Sequence, residues 1–212
     1  MNRLLEIAKS KKHIIWDFNG TLLDDVHHAV GIINEILKDH QLPALTKEKY
    51  QEVFCFPVRN YYEKVGFNFQ QHNFETLSHR FVDNFMEKID NCRIFPHALD
   101  LLTRLHKANT TQSVLSATDQ ENLERLIERF GLRPYFQNVV GIQDKFASSK
   151  MEQGRQLIQK SNFAPVDTLL IGDTDHDLHV GQELGIDVVL LAHGHQAEHR
   201  LKAIHNHVYR II

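Results

Sequence analysis

Cysteine is almost missing from this chain: Cys55 and Cys92 are the only two in 212 residues. Two thiols outside any CxxC pair cannot build a disulfide framework. Long apolar runs are missing too, since no stretch approaches the roughly 18 residues that a transmembrane helix needs. Met1 to Lys12 mixes Leu4, Leu5 and Ile7 with Glu6, Lys9, Lys11 and Lys12. That pattern does not supply the continuous apolar core of a signal peptide, so a reducing cytoplasm is the expected compartment. Nor is there a basic excess. Lys plus Arg is 24 against 27 Asp plus Glu, a net charge of -3. Nucleic acid and anionic membrane surfaces therefore have no electrostatic support as partners. Internal repeats and low-complexity segments are absent as well.

What is present suits a folded globular chain: 42% hydrophobic and 24% charged residues. At roughly 100–200 residues per domain, the length allows one large domain or one domain with an insert. The 15 histidines outnumber the 13 phenylalanines, which raises metal binding or acid/base chemistry as questions to be tested.

Short apolar runs recur along the chain. They are His13–Asp17, Thr111–Leu115 ending at Ser116, Thr168–Ile171 ending at Gly172-Asp173, and Asp187–Leu191 after Gly185. Near-continuous apolar runs of this length read as strands of a parallel sheet buried on both faces. Helical patterns alternate with them over Ala98–Lys107, Gln120–Phe130 and Met151–Lys160. Strand–helix alternation predicts an α/β fold, a Rossmann-like, doubly wound parallel sheet with right-handed crossovers. Asp25 to Cys92 breaks the alternation with four predicted helices, Val26–His40, Lys47–Val53, Asn60–Val65 and Phe74–Asp90, punctuated by Pro43, Pro57 and Gly66. The expected organisation is an α/β core of residues 1–24 and 93–212 with an inserted α-helical cap, 25–92.

In an open parallel sheet, ligands bind beyond the carboxyl ends of the strands. The polar residues at those ends are Asp17, Asn19, Ser116, Asp173 and Asp177, with Lys150 opening a helix between the Thr111–Leu115 and Thr168–Ile171 strands. Three acids, a lysine and a hydroxyl on one edge suggest a magnesium–phosphate site. Magnesium takes hard oxygen ligands, and a lysine offsets oxyanion charge.

These residues also form an ordered set of motifs. Asp17-Phe18-Asn19-Gly20-Thr21 matches DxDGT except at its third position, Ser116 and Lys150 follow in order, and Gly172-Asp173-Thr174-Asp175-His176-Asp177 matches GDxxxD. In this the chain resembles the haloacid dehalogenase superfamily, in its phosphoglycolate-phosphatase-like branch with a helical cap. The resemblance implies a phosphatase acting on a small phosphorylated metabolite. Asp17 would form an aspartyl-phosphate. Magnesium would be held by Asp17, the backbone carbonyl of Asn19 and Asp173, with Asp177 adjacent. Ser116 and Lys150 would hold the phosphoryl group, with Thr21 and Arg59 as further substrate-binding candidates. Relatives that use the aspartate without metal would not need Asp173 and Asp177. Relatives with a Schiff-base lysine in the cap would need a distinctive lysine, and none of Lys38, Lys47, Lys49, Lys64 and Lys88 is one.

The departure is at Asn19, where the family's phosphatases carry an acid that protonates the leaving group and then activates water. An amide can hydrogen-bond but cannot shuttle a proton. Losing a positioned acid/base typically costs on the order of 10²–10⁴-fold in rate. Four accounts stay open. The protein is a slow phosphatase or one restricted to good leaving groups. It recruits another acid/base such as Asp24, Asp25 or a cap histidine. It is a phospho-ligand-binding or regulatory protein with little turnover. Or Asn19 is an engineered replacement.

Other features have plainer readings. Asp173, Asp175 and Asp177 do not form a calcium loop, because its sixth and twelfth positions would hold Leu178 and Leu184. Arg59 either pairs with a substrate anion or braces the cap. Phe54 and Phe56 either line the entrance or pack in the core. Lys145 competes with Lys150 for the charge role, though Lys150 better suits the family spacing. His193 and His195 follow a strand end and stand within reach of the phosphate site, while zinc binding by the 193–199 segment is disfavoured because no cysteine is near.

Overall fold

The computed structural model describes residues 2–143, 146 and 149–210. After helix α1 (Asn2–Lys9), strand β1 (His13–Trp16) forms the centre of a six-stranded sheet. The other strands are β4 (Thr111–Asp119), β5 (Asn138–Ile142), β6 (Thr168–Gly172), β7 (Asp187–Leu191) and β8 (Val208–Tyr209), in the spatial order β5-β4-β1-β6-β7-β8. Every pairing in this sheet is parallel, with His13 aligned to Thr111 on one side and to Thr168 on the other.

Strand residues alternate between two hydrophobic layers, as a period of two requires. Ile14, Trp16, Val114, Leu169 and Ile171 face one layer. There they meet α1, α6 (Pro96–Lys107) and α7 (Gln120–Arg129), through Leu4, Leu102, Leu105, Leu123 and Ile127. Ile15, Leu115, Leu170, Val188 and Leu190 face the other. That layer is covered by α8 (Met151–Ser161), α9 (Asp175–Leu184) and α10 (Glu198–Ile204), through Leu157, Leu178, Val180 and Leu201. The strands are thus apolar on both faces, which is why they appear as continuous runs in the sequence. His13, fully buried, is accommodated by a 2.9 Å hydrogen bond between its Nε2 and Ser113 Oγ.

Between the short strands β2 (Leu23–Asp24) and β3 (Arg93–Ile94) lie four helices: α2 (Val26–Asp39), α3 (Lys47–Val53), α4 (Val58–Lys64) and α5 (Phe74–Glu87). β2 and β3 pair antiparallel, Leu23 with Ile94 and Asp24 with Arg93, so the chain leaves and re-enters the α/β body through one two-stranded neck. α3 and α5 start where side chains accept from backbone amides, Thr46 from Lys49 and Asn73 from Thr76. The helical segment is also tied to the chain after β7. Arg200 donates to the carbonyls of Gln51 (2.7 Å) and Phe54 (3.0 Å), Gln196 donates to Phe54 O, and Gln51 donates to Gly194 O. No helix among the described residues is long and apolar enough to cross a membrane.

Some boundaries differ from the sequence expectation. α4 begins at Val58, directly after Pro57, rather than at Asn60. α5 stops at Glu87, and a 3₁₀ turn carries the chain through Ile89–Asn91. β5, β8 and α9 are elements that the sequence pattern does not announce.

Candidate active site

The carboxyl ends of β1, β4 and β6 meet at one edge of the sheet. Asp17 follows β1, Ser116 lies in β4, Asp173 follows β6, and Lys150 caps the N-terminus of α8. All four are buried. The Lys150 ammonium lies between two acids: it contacts Asp17 Oδ1, lies 2.7 Å from Asp177 Oδ1 and donates to Leu115 O at 3.0 Å. Asp177 Oδ2 accepts from the amides of Asp173 (3.2 Å) and Thr174 (3.0 Å) and from the Thr174 hydroxyl (2.7 Å). With Thr174 it forms the capping box of α9. The GDxxxD spacing thus turns the chain from strand to helix and points its second acid back at the lysine.

Asp173 is held from both sides. The Thr21 hydroxyl donates to its Oδ1 (2.8 Å) and the His195 amide to its Oδ2 (2.6 Å). Gly20 makes this approach possible: it adopts φ +72°, and a β-carbon there would collide with the Asp173 carboxylate and the His195 ring. Among the described residues, one group of three or more His, Cys, Asp and Glu side chains is close enough to share an ion. It is Asp17, Asp173 and Asp177, with ligand atoms within 4.8 Å of one another.

The charges in this cluster do not balance. Three carboxylates face one lysine, and none can be well solvated. Burial pushes Asp17 up to about 6, against the pull of Lys150 and helped by Asp177. Burial, then the neighbouring Asp17 and Asp177, hold Asp173 well above the usual carboxylate range despite His195. Burial opposes ionisation of Asp177 as well, but Lys150 and Thr174 hold its carboxyl below the usual value. Burial would also lower Lys150, yet the two acids beside it keep its ammonium firmly charged. Hard oxygen donors with excess negative charge fit a divalent cation such as magnesium.

Asn19 is bound at both ends of its amide. Its Nδ2 donates to Asp25 Oδ2 at 2.7 Å, and its Oδ1 accepts from the Thr118 hydroxyl at 2.8 Å. Asp25 also accepts from the Gly20 amide (2.8 Å) and lies 3.2 Å from His195 Nε2. The His195 Nδ1 shares a 2.8 Å hydrogen bond with the Tyr50 hydroxyl of α3. Burial alone would lower the His195 imidazole, but Asp25, Asp173 and Asp17 raise it to about 9.

The structure therefore brings together Asp17, Asn19, Ser116, Lys150, Asp173 and Asp177 around one cavity of about 170 Å³. It separates two other candidates. Thr21 is fully buried behind the cavity wall and positions Asp173 instead of meeting a ligand. Arg59 is exposed, with its guanidinium 4.3 Å above the Phe69 ring and 5.4 Å above that of Phe74, and it does not line the cavity. Lys145 lies outside the described residues. Phe54 and Phe56 do line the cavity. The sequence points at Asp25 only as one of several acids and at His195 only by its place after a strand. It does not single out Tyr50 or Thr118 at all, because no motif carries them.

A model of the haloacid dehalogenase-like hydrolase family matches residues 14–191. A phosphoglycolate phosphatase of Synechococcus elongatus is 24% identical over 185 residues, 85% of this chain and 84% of that protein. The pyrophosphatase PpaX of Oceanobacillus iheyensis is 24% identical over 202 residues, 92% of this chain and 90% of that one. Among solved structures, a haloacid dehalogenase-like family hydrolase from Streptococcus pneumoniae superposes with a TM-score of 0.79 at 20% identity. That superposition covers 94% of this chain and 93% of the other.

Proposed function

The chain belongs to the haloacid dehalogenase-like hydrolase family, and on that premise we propose that it is a magnesium-dependent phosphatase that hydrolyses a small phosphorylated metabolite through Asp17. The observation that carries this reading is the Lys150 ammonium clasped between Asp17 and Asp177, beside Asp173, at the floor of a cavity. Asp17 and Asp173 would hold the ion together with the Asn19 carbonyl, and Asp177 would fix the lysine and the loop. The bound ion supplies charge neutralisation at the phosphoryl oxygens.

Lys150 keeps Asp17 ionised and aimed. The carboxylate attacks phosphorus, the bond to the leaving oxygen breaks, and water later cleaves the acyl-phosphate at phosphorus, returning free Asp17 and phosphate. The Ser116 Oγ accepts from the Thr118 amide at 3.1 Å, so its own proton is available for a phosphoryl oxygen. The α2–α5 segment acts as the cap that closes residues 25–92 over the site and keeps water out. Asn19 cannot protonate the leaving oxygen, so turnover is slow or favours leaving groups that need no proton. The two buried free thiols suit a reducing cytoplasm.

The bonded amide of Asn19 also favours a second reading, a phospho-ligand-binding protein with little turnover. Hydrolysis of 4-nitrophenyl phosphate and of ethyl phosphate, with and without magnesium, separates the two. The phosphatase reading expects magnesium-dependent turnover of the aryl ester that Asp17→Asn abolishes. Absence of turnover for both esters, with vanadate still raising the melting temperature, would favour the binding protein.

A further inference from the structure

We propose that the substrate's leaving group is an uncharged, apolar, ring-sized body and that the site excludes esters carrying a carboxylate. This rests on the phosphatase reading above. Beyond the Asp17–Lys150 floor, the cavity is lined by Phe54, Phe56, Tyr61, Phe81, Phe85 and Leu126. Three of these rings form a connected aromatic surface: Phe54 lies edge-on to Phe56 with centroids 5.5 Å apart, and to Tyr61 at 5.3 Å. Such a wall gains from burying apolar area and from ring-on-ring contacts.

Among the described residues, the same wall offers an anion no free cation. Lys150 is the only lysine or arginine among the described residues that line the cavity, and it is taken by Asp17, Asp177 and Leu115 O. His195 is taken by Asp25 and Tyr50, and His176 lies under the Phe56 ring at 4.6 Å. Arg59, the cap arginine best placed in the sequence to receive a carboxylate, is stacked outside on Phe69. The remaining charged groups on the lining beyond the phosphoryl floor, Asp25 and Asp119, are acids. A substrate carboxylate entering this space would lose its water, find no free cation among the described residues and face like charge. The wall's unspent polar capacity is neutral: the hydroxyls of Tyr61 and Ser78 are buried without a hydrogen-bond partner.

Two benzyl esters test this with the reacting atoms held constant. The wild-type protein with magnesium is assayed on benzyl phosphate and on its 4-carboxylated analogue, with phosphoglycolate as a third ester. The expected result is a kcat/KM for benzyl phosphate at least about tenfold above both carboxylated esters. Val82→Arg, which places a cation on the cavity wall of α5, should narrow or invert that ratio. Phe81→Ala should lower kcat/KM for benzyl phosphate by a larger factor than it does for ethyl phosphate. Equal or better turnover of either carboxylated ester by the wild type overturns the assignment and leaves the phosphatase reading standing. Failure to turn over benzyl phosphate while 4-nitrophenyl phosphate is hydrolysed also overturns the assignment, and failure on 4-nitrophenyl phosphate as well removes the phosphatase reading with it.

Discussion

Replacing Asn19 by aspartate is the obvious way to restore the missing acid, and the structure predicts that the single change goes wrong. Asn19 Nδ2 donates to Asp25 Oδ2 at 2.7 Å. In Asn19→Asp an oxygen takes the place of that donor, and two carboxylates face each other. At a separation of about 3 Å and an effective dielectric of about 20, two unit charges repel by about 5 kcal/mol. The pair relieves this by sharing a proton, so one carboxyl is held protonated well above its ordinary range. An acid with a raised folded-state pKa destabilises the fold increasingly as pH rises from its unfolded value. Asn19→Asp should therefore be less stable than wild type at pH 8 by about 1–3 kcal/mol, and the difference should shrink at pH 5.

The paired exchange Asn19→Asp with Asp25→Asn restores one donor against one acceptor, with the direction of the bond reversed. The amide introduced at position 25 would donate to the carboxylate introduced at position 19. Its oxygen would still accept from the Gly20 amide, which in the wild type donates to Asp25. If the missing acid limits turnover, the paired variant should raise kcat for ethyl phosphate by about 10²–10⁴-fold and change 4-nitrophenyl phosphate far less. Urea denaturation at both pH values and steady-state kinetics on the two esters measure these effects. Equal stability of wild type and Asn19→Asp at pH 8 would show that Asp25 does not oppose a carboxylate at position 19. No gain on ethyl phosphate in the paired variant would show that the absent acid does not limit the reaction.

Lys150→Met leaves Asp17 and Asp177 buried without their counter-charge, and it should cost about 3–5 kcal/mol in urea denaturation; a loss below about 1 kcal/mol would mean the ion pairs contribute little. Magnesium at about 100 times its dissociation constant should stabilise the wild type by about 2.7 kcal/mol in a thermal-shift titration. Asp173→Asn should weaken that response, whereas an equal response would place the ion elsewhere. His13 is fully buried at the head of β1, and burial lowers it to about 4. The unfolded chain binds a proton there below about pH 6.5 and the folded chain does not, so stability is full above that pH and falls as pH drops towards 4, by at most roughly 3 kcal/mol. His13→Gln should flatten this slope in denaturation curves taken from pH 7 to 4, and an unchanged slope would assign it to other groups.

The central strands could be read from the sequence because Ile14, Ile15, Leu169 and Leu170 fill both layers and leave unbroken apolar runs. β5 is not legible in the sequence for the complementary reason. It is an edge strand containing Asn138 and Gly141, and its pairing to β4 shifts register between Leu115 and Asp119. α9 was hidden by the chemistry it carries, because its first turn holds Asp175, His176 and Asp177 where an apolar stripe would otherwise be expected. Helices such as α3 showed their limits through a capping threonine and a following proline, both local signals.

The candidate site divides along the same line. Residues fixed by strand ends and motif spacing, such as Asp17, Ser116 and Asp173, could be placed from order along the chain. Side-chain direction could not: Arg59 turns outward onto Phe69, and Thr21 turns inward to Asp173. Partners far apart in the chain could not be read either, as with Tyr50 and His195, 145 positions apart. Asn19 illustrates the consequence. By its motif it is an acid replaced by an amide, a simple loss. In space it donates to Asp25, which also meets the Gly20 amide and His195. A carboxylate has thus not left the cavity that Asp17 and Lys150 line. It stands one hydrogen bond further away, on the first residue of the segment that leads into α2. The physical question at position 19 is therefore what the amide and Asp25 do together, and only a change made at both positions can answer it.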